Sequence, residues 1–174
     1  MPGIGDPRFD RAVVLICAHD SEHAMGLAVN RPAGGLTVPD LLQRLDIKAT
    51  IQVPPDLVLI GGPVERERGF VLHTDDYRAE HSIDVSDGVS LTATREVLEA
   101  MADRRRAPRR SLLALGYAGW GGGQLENELR NNVWLVCDPD EDLLFEPDYD
   151  KKWARALTKL GIDPGGLSAV SGRA

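Results

Sequence analysis

The stretch at residues 112–136, LLALGYAGWGGGQLENELRNNVWLV, constrains the fold of this chain more than any other. Its apolar opening, residues 112–117, reads as a buried strand. Gly116, Gly119, Gly121, Gly122 and Gly123 crowd the next few positions and predict a flexible turn. Glycine takes φ > 0 without strain and lets another backbone come close. Residues 124–130 predict a short amphipathic helix, and residues 133–137 a second strand. Such a unit anchors a fold and lines its best concave surface, but its spacing names no reaction.

With 174 residues the chain is long enough to bury a core, and it reads as a single domain over 1–174 with a small, polar tail at 164–174. A formal net charge of −7 argues against nonspecific binding to nucleic acid or to acidic membranes. No apolar run approaches the roughly 20 residues that span a bilayer. The amino terminus lacks a basic segment followed by an apolar one, so no secretory signal is expected. Cys17 and Cys137 stand alone in apolar runs without CxxC spacing, which suits buried, reduced thiols and a cytoplasmic location.

Along the chain, residues 12–18 (AVVLICA) and 25–30 (MGLAVN) predict two strands joined by the polar HDSEH. Thr37, Pro39 and Asp40 are a helix start, and Val38, Leu41, Leu42 and Leu45 then fall on one face. Residues 57–60 (LVLI) predict a strand that runs into Gly61-Gly62-Pro63. Residues 65–68 (ERER) read as a solvated turn, and 69–73 as a returning strand. Asp87-Gly88 marks a hairpin between 82–85 and 89–92. A helix is expected over 94–105, a short strand over 143–145 and an amphipathic helix over 150–160. Hairpins mixed with helices, without steady βαβ alternation, predict an α+β fold.

Few side chains form a reactive pattern. The glycine-rich corner at 116–124 could hold a phosphate or carboxylate on free backbone N–H groups. It lacks the lysine and hydroxyl of a phosphate loop, and Glu126 and Glu128 stand beside it. Trp120 between glycines is a candidate contact residue. His73, followed by Thr74, Asp75 and Asp76, is a candidate general base. His19, Glu22 and His23 lack a fourth ligand, so no metal or cofactor is expected. Arg104, Arg105, Arg106, Arg109 and Arg110 form the one strongly basic run. The Val/Leu/Met face beside it is no base-reading helix, which argues against direct DNA binding.

Four segments in order, PGIGDPRFDRAVVLICAH, AMGLAVNRP, GGPVERERGFVLH and GYAGWGGGQLENELRNNVWLV, resemble the AlgH/YqgE family of bacterial proteins. The resemblance implies an α+β domain with a mixed, bifurcated or barrel-like β-sheet surrounded by short helices. The family's name comes from a role proposed in transcriptional regulation, so a regulatory function is implied as a label. Family members carry further residues, including a strand, ahead of the position of Met1; without that strand a sheet edge is left open. The family's terminal histidine is also absent from Ser171-Gly172-Arg173-Ala174. Asn30, His73, Trp120, Gln124 and Glu128, carried over by position, together with Gly119 of the glycine-rich corner, are the candidate ligand-binding residues. Three readings follow. The first is a non-catalytic regulatory or protein-interaction role with a protein partner. The second is binding of a small anionic ligand or nucleotide at 116–124, and the third an enzyme built around His73.

Overall fold

The computed structural model describes residues 6–166, so the readings made for residues 1–5 and 167–174, the Ser171-Gly172-Arg173-Ala174 ending included, lie outside it. Among the described residues, eight strands and five α-helices make an α+β fold. The strands are β1 (Val14–His19), β2 (His23–Ala28), β3 (Pro32–Thr37), β4 (Leu57–Ile60), β5 (Val64–Thr74), β6 (Ile83–Ser86), β7 (Val89–Thr92) and β8 (Ser111–Gly121). The helices are α1 (Val38–Arg44), α2 (Arg95–Met101), α3 (Gln124–Arg130), α4 (Glu141–Leu144) and α5 (Tyr149–Lys159).

Strand β8 organises the sheet. Six strands run in the order β1-β2-β8-β5-β7-β6 and curl until Cα atoms of β1 and β6 approach within 8 Å, a nearly closed barrel. The edge of β8 opposite β5 is shared. Antiparallel β2 pairs with Ala118–Gly121, whereas parallel β4 pairs with Ala114 and Leu115 and carries β3 on its far side. The sheet therefore forks, and three glycines sit at the fork. A methyl group on Gly61 would overlap the Gly116 carbonyl, and one on Gly62 would overlap the Tyr117–Ala118 peptide. Gly116 itself has φ +72°.

That left-handed residue is a bulge, and it reverses which side chains of β8 face inward. Leu112 and Ala114 join the barrel interior with Leu15, Leu27, Leu59, Phe70, Leu72 and Leu91. Leu113 faces out, under α1 and α2, against Val38, Leu42, Val97, Ala100 and Met101. Beyond Gly116 the parity flips. Tyr117 packs on the interior, and Ala118 and Trp120 turn outward to Leu125 of α3.

Several expectations need correction. The glycine-rich stretch is not a flexible turn, because β8 continues through Gly116 and Gly119 to Gly121 and only Gly122 and Gly123 turn. Residues 133–137 form no strand and have no sheet partner. Residues 143–145 are not a strand either. Asp140 caps α4 there by accepting from the Leu143 N–H at 2.7 Å, which ends the extended backbone. Residues 65–68 are exposed as expected but belong to β5, arching out between the Val64–Tyr117 and Gly69–Leu115 pairs. Helix α2 stops at Met101, short of Arg105. The start of α1 is as its sequence predicts, with a reciprocal capping box between Thr37 and Asp40.

Candidate functional site

Three of the candidate residues, Trp120, Gln124 and Glu128, meet at the outer end of β8, while Gly119 lines a hollow on the strand's other face. Gln124 and Glu128 lie one turn apart on α3 and share a face. Glu128 Oε2 accepts from the indole N–H groups of Trp120 at 2.9 Å and Trp134 at 2.7 Å, and its Oε1 accepts from Gln124 Nε2 at 3.1 Å. Gln124 Oε1 in turn accepts the Gly121 N–H at 3.1 Å. Burial pushes the Glu128 carboxyl up, but the donors from Trp134, Trp120 and Gln124 outweigh it and hold the group below the ordinary carboxylate range. Trp120 and Trp134 stack edge to face, ring centroids 6.1 Å apart, and Phe9 adds a second such contact to Trp134 at 5.7 Å. His19 pairs with Glu126 and ties the end of β1 to the same helix. The result is a clasp in which Glu128 serves three donors, leaving the corner's Gly121 N–H occupied by the chain itself.

Asn30 and His73 are elsewhere. Asn30 Oδ1 accepts from the Val13 N–H and its Nδ2 donates to the Arg11 carbonyl, each at 2.9 Å, pinning the entry to β1. His73 is fully buried within β5. Its Nδ1–H donates to the Thr74 carbonyl at 2.9 Å, so Nε2 takes the Thr92 hydroxyl at 2.7 Å. That hydroxyl accepts from Ser82, which accepts from the Ala79 N–H. The chain of donors leaves the imidazole neutral. Burial pushes its pKa down, against the Thr74 hydrogen bond and the charge of Asp76. In the basic run, Arg106 pairs with Asp103, Arg109 with Glu141, and Arg110 with Glu141 and Asp142. Among the described residues no group of three or more His, Cys, Asp or Glu side chains is placed to hold a metal ion.

The clasp forms one wall of an apolar groove of about 460 Å³. The outer face of β1 (Val14, Ile16), helix α3 (Leu125, Leu129), the extended segment at 133–139 and helix α5 (Trp153, Leu157, Leu160) complete it. Val136 is 68% exposed, Leu135 43%, and Ile16 and Leu160 36% each. Cys137 opens on the same groove, its thiol pushed up by burial.

A family model described as AlgH-like matches residues 1–165. The chain belongs to the AlgH-like family. A UPF0301 protein of Caulobacter vibrioides is 65% identical over all of this chain and 90% of its own length. A UPF0301 protein of Bradyrhizobium diazoefficiens is 50% identical over 100% of this chain and 85% of its own. The solution structure of the AlgH protein from Pseudomonas aeruginosa superposes with a TM-score of 0.77 at 35% identity, covering 100% of this chain and 92% of that one. A crystal structure from Corynebacterium diphtheriae, 17% identical with a TM-score of 0.68, covers 87% of this chain and 78% of its own and shares the fold.

Residues 133–137 of this AlgH-like chain read as a second strand in the sequence, and that reading hid the groove they line. Sequence reasoning also missed Lys152, which is fully buried under the barrel and donates to the Val29 and Leu144 carbonyls at 2.8 and 2.7 Å. A signal was there: Lys152 stands three residues after Tyr149 and four before Ala156, at the margin of the apolar stripe, whereas its exposed neighbour Lys151 stands between Asp148 and Arg155 at the same spacings.

Proposed function

We propose that this chain is a non-catalytic regulatory protein of the cytoplasm that works by binding a protein partner. Its apolar groove receives an apolar segment of that partner. One observation carries the reading: Ile16, Leu135, Val136 and Leu160 are exposed along a single groove that Trp120, Trp134 and Trp153 also line. Scattered exposed apolar side chains are ordinary, but a contiguous set around a concavity marks an interaction surface. Tryptophans in such a concavity are the residues that most often dominate binding. The polar candidates support the same reading, since His73, Asn30 and Glu128 spend their hydrogen bonds on the chain itself. Two free thiols, one buried, suit a reducing compartment.

The test is a photo-crosslinking amino acid placed at Val136, in bacterial cells that carry this chain in place of their own AlgH-like protein. A second chain carries it at Glu67, exposed on the far-side arch of β5. A discrete protein adduct at position 136 and none at 67 is expected. Equal labelling at both positions would overturn the reading.

A further inference from the structure

The barrel has a second hollow that the groove does not use. Its interior opens between the end of β1, the start of β2, the outer half of β8 and the start of β5, in a cavity of about 780 Å³. That volume is in the range of small-molecule sites, and barrel mouths are a common place for them. The floor is apolar: Phe70 and Tyr117 meet edge to face at 5.8 Å, with Met25 and Leu91 beside them. The rim is basic. Arg68, His23 and His81 line it together with Glu65, and His23 Nδ1 lies 3.1 Å from the Asp20 carboxylate.

Two features suit a ligand with a negative head. The Arg68 guanidinium lies 5.1 Å from the centre of the Phe70 ring, directly at the junction of floor and rim. Its carboxylate partner, Glu65, is 3.4 Å away with both side chains half exposed, an ion pair of the kind that contributes little and is readily exchanged. On the same wall, Thr94 has a buried hydroxyl with no hydrogen-bond partner among the described residues. Gly119 is the gate. It lines the cavity, and a methyl group there would touch first the Tyr117 ring at 3.4 Å and then Val64 at 3.9 Å, so a side chain could be built there without striking backbone.

We propose that the barrel mouth binds a small amphipathic anion, its apolar chain laid on Phe70 and Tyr117 and its anionic head held by Arg68 with His23 and His81. A cation would meet the Arg68 guanidinium, and a wholly apolar molecule would leave the rim unused. This places the anion on the inner face of β8, not on the N–H groups at the start of α3.

The probe is decanoate below its micelle concentration, titrated into the ¹⁵N-labelled full chain, with decan-1-ol and decylammonium alongside. Saturable amide shifts at Ala93, Tyr117 and Gly119 are expected with decanoate, and weaker binding of the other two. Gly119→Leu, which fills the mouth, should weaken decanoate at least about tenfold. Arg68→Glu should weaken it about fivefold and reverse the preference towards decylammonium. Amide spectra away from the mouth should match wild type in both variants, which separates lost binding from lost fold. Absence of saturable shifts would overturn the proposal. So would shifts confined to Val136 and Trp153, equal affinity for all three probes, or wild-type affinity in both variants.

Discussion

The two halves of β8 use the same amino acid for opposite purposes. In the inner half, Gly116 meets Gly61 and Gly62 where the sheet forks, and no side chain fits at any of the three. In the outer half, Gly119 and Gly121 have room: a methyl on Gly121 would meet nothing within 4 Å. The first set lets three backbones pass one another. The second withholds walls, leaving the barrel mouth open and the clasp free to form on the other face. Glycine content alone does not tell these roles apart; what lies opposite each residue does.

Substitutions at the fork should give the largest effects. Gly62→Ala puts a methyl into the Tyr117–Ala118 peptide, which cannot move aside like a side chain. Urea unfolding should register a loss of more than about 4 kcal/mol, or no folded protein at all. A loss below about 1 kcal/mol would mean that the fork is loose and that the comparison between the halves fails.

The packed end of the barrel offers a second, pH-dependent test. Burial pushes the Lys152 ammonium down to about 7, against the pull of the Glu146 carboxylate. Between about pH 7 and the lysine's ordinary range, the unfolded chain therefore binds more protons than the folded one, so stability contributed by this group rises with pH. Lys152→Met keeps the apolar stem but leaves the Val29 and Leu144 carbonyls without their donor. It should cost about 2 kcal/mol at pH 9 and less at pH 6, where wild type bears the burial of the charge. Chemical denaturation at pH 6, 7, 8 and 9 checks the slope. The window stops there because burial holds the Cys17 thiol up at about 12, so stability from that group falls above the thiol's ordinary range. A gap between wild type and variant that shrinks as pH rises would contradict the assignment.

At the outer half the effects should be smaller and local. Glu128→Gln turns one carboxylate oxygen into an N–H₂ group facing a donor, at a cost of roughly 1–1.5 kcal/mol. Tryptophan emission should shift to the red as Trp120 and Trp134 lose their shared acceptor. Unchanged emission would mean that the clasp is not what holds the two rings. Gly121→Ala, in open space, should change stability by less than about 0.5 kcal/mol by thermal melting.

Much of the scaffold was legible in the sequence, because capping, turn chemistry and apolar periodicity are local. Thr37 and Asp40 start α1 as a capping box, and Asp87-Gly88 turns the β6–β7 hairpin with Gly88 at φ +71°. The four ordered motifs carried the α+β, forked and barrel-like architecture. What local pattern could not carry was register across the sheet. The bulge at Gly116 decides that Trp120 faces α3 rather than the interior, and nothing in the order of residues 112–121 shows it. The same holds at residues 133–137: their apolar run reads as a strand, yet Glu128 and the rings of Phe9 and Trp120 hold Trp134 away from any sheet partner. The candidate site was legible in part. Trp120, Gln124 and Glu128 come together, whereas Gly119 lines the barrel mouth on the other face of β8 and Asn30 and His73 are tied into separate parts of the fold.

We propose that the inner half of β8 holds the fold while the groove beside its outer half receives the partner. Val136→Asp tests the groove without disturbing the fork, with the thermal midpoint and the crosslink from a probe at neighbouring Leu135 measured on the same preparation. Val136 is 68% exposed, so the account predicts a midpoint within about 2 °C of wild type together with loss of the partner adduct. A wild-type adduct on the folded variant would contradict it.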